Sequence, residues 1–407
     1  MSTRAMDDRF EPNRVRTWCL SGGAIALIVC IVGAFFDPAQ FFRSYLAAYL
    51  FYQGIGLGCL VILMIYYLTG GAWGFLIRRF LEAGTRTLPL LALLLIPVGC
   101  GLSYLFAWAR PAEVAADPNL QWKQVYLNVP FWWGRAVLFF AVWLGLAYFL
   151  NSWSRKQEQS GELRYARRLE NLSGPGLVAY GICIHFAAVD WIMSLQTTFK
   201  SSIFGPLMAT GQILTGMGLV LAMLAWMAPR PALGSATSVK ALTDLGNLLL
   251  AVLIIWAYMV FFQFMLIWIA NLPHEVIWYL DRSRGGWQWV AWGLFLLHFA
   301  VPFFLLLLRA LKGNAVLLAY VAGTLLFMHL VFLDWQILPA FFTENLAEHW
   351  MDFLMPVGLG GIWFGYYLWQ LQRYPLLPMH DENRTHALRL RWEDLAEAEQ
   401  EAAMSHG

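Results

Sequence analysis

A chain of 407 residues that is 60% hydrophobic and only 13% charged departs far from the roughly one quarter charged of a soluble globular protein. Its net charge of +2 gives no reason to expect a nucleic-acid partner. The composition predicts an all-α integral membrane protein with no soluble domain large enough to hold an active site.

A membrane span needs about 20 mainly apolar residues, and ten such runs follow one another. They are Thr17–Phe36, Ser44–Leu68, Thr87–Trp108, Phe131–Leu150, Gly176–Leu195, Ile203–Met227, Leu245–Ile269, Trp287–Leu308, Ala315–Ile337 and Met351–Trp369. The first lacks a small-residue cleavage site and opens a series of similar runs, so it reads as a retained helix and not as a signal peptide. Pro89, Pro97, Pro206, Pro302 and Pro356 fall inside spans, where neighbouring helices can satisfy the freed backbone groups. The longest connections are Ala109–Pro130 and Ala270–Gly286 on one side and the basic Asn151–Ser173 on the other. From Arg373 onward, Glu393, Asp394, Glu397, Glu399 and Glu401 among alanines predict a short, solvated, charged helix.

The bases orient the chain. Of 27 Lys and Arg, Arg135 lies within a span. Six (Arg43, Arg110, Lys123, Lys200, Arg282 and Arg284) fall on one side, and the remaining 20 fall on the other, in the terminal segments and the alternate loops. Because basic loops stay inside, both termini are expected in the cytoplasm.

Two stretches repeat. His185 and Asp190-Trp191 recur as His329 and Asp334-Trp335, with four residues between His and Asp each time. The preceding spans match more loosely: Trp133-Gly134-Arg135 through Val142 aligns with Trp292-Gly293-Leu294 through Val301. This predicts two parallel four-helix units, residues 44–200 and 201–337. Residues 1–43 and 338–371 then contribute flanking helices, and 372–407 form a cytoplasmic tail.

Ionisable groups at membrane depth are rare and find partners inside a bundle. Here they are Arg135, His185, Asp190, His298, His329 and Asp334. Arg135 and Asp190 sit at similar depth on successive spans and are expected to face each other. His298, His329 and Asp334 are expected to gather in the second unit. Three readings stay open: a structural ion pair with carbonyl-bound histidines, a proton path or quinone-head site built on titratable groups, and haem ligation by a pair such as His185 and His329. The cysteines Cys19, Cys30, Cys59, Cys100 and Cys183 are scattered through apolar runs without CxxC or CxxCH spacing, so no metal and no disulfide is assigned to them. The glycines of Gly70-Gly71-Ala72-Trp73-Gly74 follow no strand, and no phosphate-binding loop is expected.

Several segments carry a family resemblance. They are Gly70-Gly71-Ala72-Trp73-Gly74 with Arg78, Arg79 and Glu82; Tyr126-Leu127-Asn128 leading into Phe131-Trp132-Trp133-Gly134-Arg135; Asp190-Trp191-Ile192-Met193-Ser194-Leu195; and Ser201-Ser202-Ile203-Phe204-Gly205. Trp256-Ala257-Tyr258, Gln263 to Asn271 and His349-Trp350-Met351-Asp352 complete the set. Together they resemble the smaller of the two NrfD-like (polysulfide-reductase-type) membrane subunits of bacterial alternative complex III, a quinol:cytochrome c oxidoreductase of the respiratory chain. The resemblance covers nearly all spans and is most specific from Leu245 to Gly286. It implies two four-helix bundles plus flanking helices in a bacterial inner membrane. It implies a larger sister membrane subunit, an outward-facing iron–sulfur subunit and haem c subunits as partners, besides membrane lipids. It implies no redox cofactor on this chain, with haem c and iron–sulfur clusters held by the partners. Scaffolding is the implied role, with proton transfer or quinone binding as further ones. The alternative reading is an independent multispan transporter, although Pro206 and Pro302 do not interrupt helices at matching positions of the two halves.

Overall fold

The computed structural model describes residues 12–234, 236–342, 346, 349–381 and 383–405. All regular elements among them are helical. The main ones are α1 (Asn13–Ala34), α2 (Pro38–Thr69), α3 (Ala72–Cys100, bent near its middle), α4 (Val129–Ser160), α5 (Leu163–Trp191), α6 (Phe204–Met227), α7 (Val239–Ala270), α8 (Trp287–Leu307), α9 (Ala315–Ile337), α10 (Trp350–Leu371) and α11 (Arg384–Ser405).

Local chemistry sets the ends. Asp37 accepts from the Gln40 amide ahead of Pro38 and starts α2, and Asn128 accepts from the Phe131 amide to start α4. The α4–α5 turn depends on Gly161, whose φ of +67° suits glycine. At α10 the His349 side chain and Asp352 form a reciprocal cap.

Nine helices among the described residues are long and apolar enough to cross a membrane, so the chain is a multi-pass, all-helical membrane protein. The tenth expected span is α10, 22 residues long. Its glycines, Trp, Tyr and Gln dilute the aliphatic content, and it falls outside those nine.

The centre is occupied by α2 and α6, whose apolar stretches are 89% and 78% buried, against 22% for α1 and α8 and 28% for α7. Helix α2 packs on α3, α5, α6, α9 and α10, while α6 also packs on α5, α7 and α9. Helix α4 packs on α5, α8 lies between α7 and α9, and α1 packs along α10. Hydrophobicity does not drive association between helices in lipid, so close backbone approach takes over. A Cβ on Gly58 of α2 would fall 1.8 Å from the Gln212 carbonyl oxygen of α6, and one on Gly216 of α6 would fall 2.8 Å from the Gly58 carbonyl carbon.

Three expectations need correction. The segment preceding Thr87 is not a loop: Ala72–Thr85 is helical, and Arg78, Arg79 and Glu82 within it are buried. Hydropathy scores each of these charges as if solvated, whereas here they neutralise one another. Asn151–Ser173 is not a loop either, because α4 continues to Ser160 and α5 begins at Leu163. The tail helix α11 is not simply solvated: Ala387 and Leu390 are buried, and Asp394 accepts from the Val239 amide at the start of α7. The side chains of Glu397, Glu399 and Glu401 lie outside the described residues.

Candidate functional site

The first polar centre joins α4 to α5. Arg135 Nε donates to Asp190 Oδ2 at 2.6 Å and its Nη2 to Asp190 Oδ1 at 2.9 Å, a two-pronged ion pair. Both residues are buried. The remaining guanidinium nitrogen donates to the Tyr126 carbonyl oxygen at 2.8 Å, and the rings of Tyr126 and Phe131 lie 3.9 and 4.4 Å from the guanidinium carbon. The planar fork matches the carboxylate, and every strong donor of Arg135 is used. This is the facing pair the sequence predicted.

The second centre joins α8 to α9. His298 and His329 are buried, with ring centroids 5.5 Å apart. The Trp256 ring of α7 lies 4.1 Å from that of His298, and Phe332 packs on both histidines. Neither nitrogen of His298, nor Nδ1 of His329, has a protein hydrogen-bond partner. His298 stands in a seven-residue π-helical stretch, Leu294–Ala300, which ends with the Val301 amide bonding to the Leu296 carbonyl five residues back. Pro302 supplies a reason: it has no N–H for the carbonyl of residue 298, and its ring crowds that carbonyl. Wider turns of this kind collect at functional sites.

The other two expected residues lie apart from these centres. His185 is half-buried on α5. It seats on Gly205 of α6, much as His329 seats on Gly211 of the same helix: a Cβ at either glycine would come within 2.4 Å of the imidazole. Asp334 is half-buried on α9, five residues past His329 and therefore about 140° further round the helix.

Between α2, α5, α6 and α9 lies an internal cavity of about 20 Å³ lined by Gln53, Gln212, His329 and apolar neighbours. That is room for one water. Tyr180 donates to Gln212 Oε1 at 2.7 Å, and the Gln212 amide approaches Gln53 Oε1 at 3.3 Å. The Gln53 amide nitrogen has no protein partner. A polar line thus runs from Tyr180 through Gln212 and Gln53 to the cavity, and on through His329 to His298. The space is far smaller than a quinone head group. Among the described residues, no group of three or more His, Cys, Asp or Glu is placed to hold a metal ion.

Sequence reasoning missed two further constellations. At one end of the bundle Arg78 contacts Glu82 at 3.0 Å and Asp381 at 2.6 Å. Arg79 bridges Glu82 and Glu158 at 2.8 and 2.7 Å, Ser154 donates to Glu82, and Tyr66 donates to Asp381. The tail is thereby clamped to α2, α3 and α4. At the other end Arg282 donates to the Trp335 and Gln336 carbonyl oxygens at 3.1 and 2.6 Å, where cations suit a helix C-terminus. Burial pulls its pKa down to about 9, with Asp281 and Tyr279 acting in the opposite sense, so Arg282 remains charged at neutral pH. Arg78, Arg79 and Arg86, all within four residues of Glu82 and all paired with it, were a legible signal for the first cluster. Nothing in the sequence distinguishes Arg282 from the exposed Arg284.

A comparison with protein-family models finds no match, and a comparison with curated proteins finds no relative.

Proposed function

We propose that this chain is a membrane subunit, without a redox centre of its own, of a bacterial quinol:cytochrome c oxidoreductase of the alternative-complex-III type. In this reading it scaffolds the larger sister subunit, the iron–sulfur subunit and the haem c subunits, and it transfers protons. The ten spans comprise two four-helix units, α2–α5 and α6–α9, flanked by α1 and α10, with both termini in the cytoplasm. The motif resemblance supports membership of the complex, and the distribution of bases supports the orientation.

The observation that carries the proton-transfer role is the buried His298–His329 pair, three of whose ring nitrogens lack a protein partner, with His329 lining a water-sized cavity shared with Gln53 and Gln212. Leaving a buried donor or acceptor unmade costs about 1–3 kcal/mol, a cost that a water in the adjoining cavity would offset. A neutral imidazole can accept a proton at one nitrogen and release one from the other, and its pKa in water lies near neutrality. His329, lining the cavity, would exchange protons with a water held by the Gln53 amide. His298 would continue the path towards α8.

Purification is the test. The tagged chain should co-purify with haem c and iron–sulfur proteins, and separated from them it should show no haem spectrum. A chain that is stable, monodisperse and free of such partners is instead an independent transporter. A haem band of its own, lost in His185→Ala or His329→Ala, would also defeat the proposal.

A further inference from the structure

Beyond the polar centres, the end of the bundle that carries Arg282 has an open cavity of about 210 Å³. It is bounded by Lys123 and Tyr126 from the α3–α4 connection, Val189 and Met193 around the end of α5, and Lys200. We propose that this cavity binds the phosphate of an anionic phospholipid, an assignment that needs only the membrane placement of the chain and not the function proposed above.

The charge is right. Lys123 and Lys200 line the same space. Lys123 Nζ donates to the Thr197 carbonyl oxygen, which holds the ammonium at the rim. Its pKa is lowered, first by burial and then by the positive charge of Lys200, with Asp117 acting the other way. The two ammonium groups therefore feel each other across the cavity. Asp117 already accepts from the Asn119 amide at 2.8 Å, and Arg135 beneath is neutralised by Asp190. The net charge facing the cavity is positive.

The polarity is right as well. Tyr126 borders the same space, with its hydroxyl turned to the Asp190 carboxylate. Leu127, Val189 and Met193 supply an apolar wall. The space falls below the roughly 300–1,000 Å³ of small-molecule sites, so it suits a head group better than a whole cofactor. Beside it Trp122 and Val125 are 79% and 87% exposed. A Trp next to a Lys at a span end is what the membrane–water interface selects, and that places the cavity at head-group level. A lipid is favoured over a free phosphate ion because the apolar wall continues into exposed apolar surface.

The test uses the full-length protein in phosphatidylcholine nanodiscs, titrated with phosphatidylglycerol or with inorganic phosphate, with bound lipid read by native mass spectrometry. Phosphatidylglycerol should be retained in preference to phosphatidylcholine. The double variant Lys123→Gln/Lys200→Gln should lower that retention roughly 30-fold, the effect of two basic residues acting on anionic lipid. Lys123→Arg/Lys200→Arg should retain it, and Arg284→Gln, at the same end but outside the cavity, should leave it unchanged. Equal retention by wild type and the double glutamine variant would overturn the site. Saturation by inorganic phosphate with no preference for phosphatidylglycerol would overturn the lipid assignment.

Discussion

The α4–α5 and α8–α9 pairs share a sequence pattern and put their polar groups to different use. In the first pair Arg135 and Asp190 form a two-pronged ion pair, and the third guanidinium nitrogen donates to the Tyr126 carbonyl oxygen. In the second, the position aligned with Arg135 is Leu294 and the position aligned with Phe139 is His298. Polarity has moved from the end of the bundle towards its middle, and from an ion pair to a pair of imidazoles with nitrogens left unpartnered. Where every buried donor has an acceptor, the group is fixed and its role is to hold helices together. Where donors and acceptors are left over beside a water-sized space, the group can exchange a proton.

The largest effect should come from breaking the satisfied pair. Asp190→Ala leaves the Arg135 charge buried and unpaired, which typically costs about 3–5 kcal/mol, so the yield of folded, assembled protein should collapse on size-exclusion chromatography. An assembled Asp190→Ala protein of wild-type stability would mean that the two pairs are not different in kind. Next comes the close packing of α2 on α6. Gly58→Ala forces a Cβ into the Gln212 carbonyl, and thermal unfolding should shift downward by an amount comparable to overpacking a core, about 1–3 kcal/mol. An unshifted transition would show that α2 and α6 separate freely.

The second pair should behave in the opposite way. His298→Phe mirrors Phe139 and removes two unpartnered nitrogens, so stability should hold or rise by up to about 1–3 kcal/mol. A loss as large as that of Asp190→Ala would assign the histidines a structural role. The smallest effect is expected from Gln53→Leu. It deletes one long hydrogen bond, of 3.3 Å to Gln212, and should change stability by no more than about 1 kcal/mol while slowing proton uptake.

Much of this contrast was legible in the sequence. Long apolar runs announce spans because lipid demands satisfied backbones, and depth matching on successive spans put Arg135 opposite Asp190 and His298 near His329. The rest was hidden for physical reasons. The charges of Arg78, Arg79 and Glu82 depress local hydropathy and imitate a loop, although Glu82 pairs with both arginines, Arg79 also pairs with Glu158, and Arg78 also pairs with Asp381, some 300 residues away in the chain. Gln53 and Gln212 carry no charge and scarcely disturb an apolar run, so their meeting across α2 and α6 is a tertiary fact. The π-helical turn at His298 depends on backbone register, which side-chain pattern records only through Pro302. His185 and His329 share a motif, yet they seat on different glycines of α6, a distinction set by packing.

The central claim is that the unpartnered histidines move protons, and the most direct measurement is proton yield per electron in the reconstituted complex carrying His298→Phe. The account predicts wild-type subunit composition with proton transfer slowed on the order of 100-fold, the lower end of what a positioned proton-transfer group contributes. An assembled complex with unchanged turnover and proton yield would contradict it.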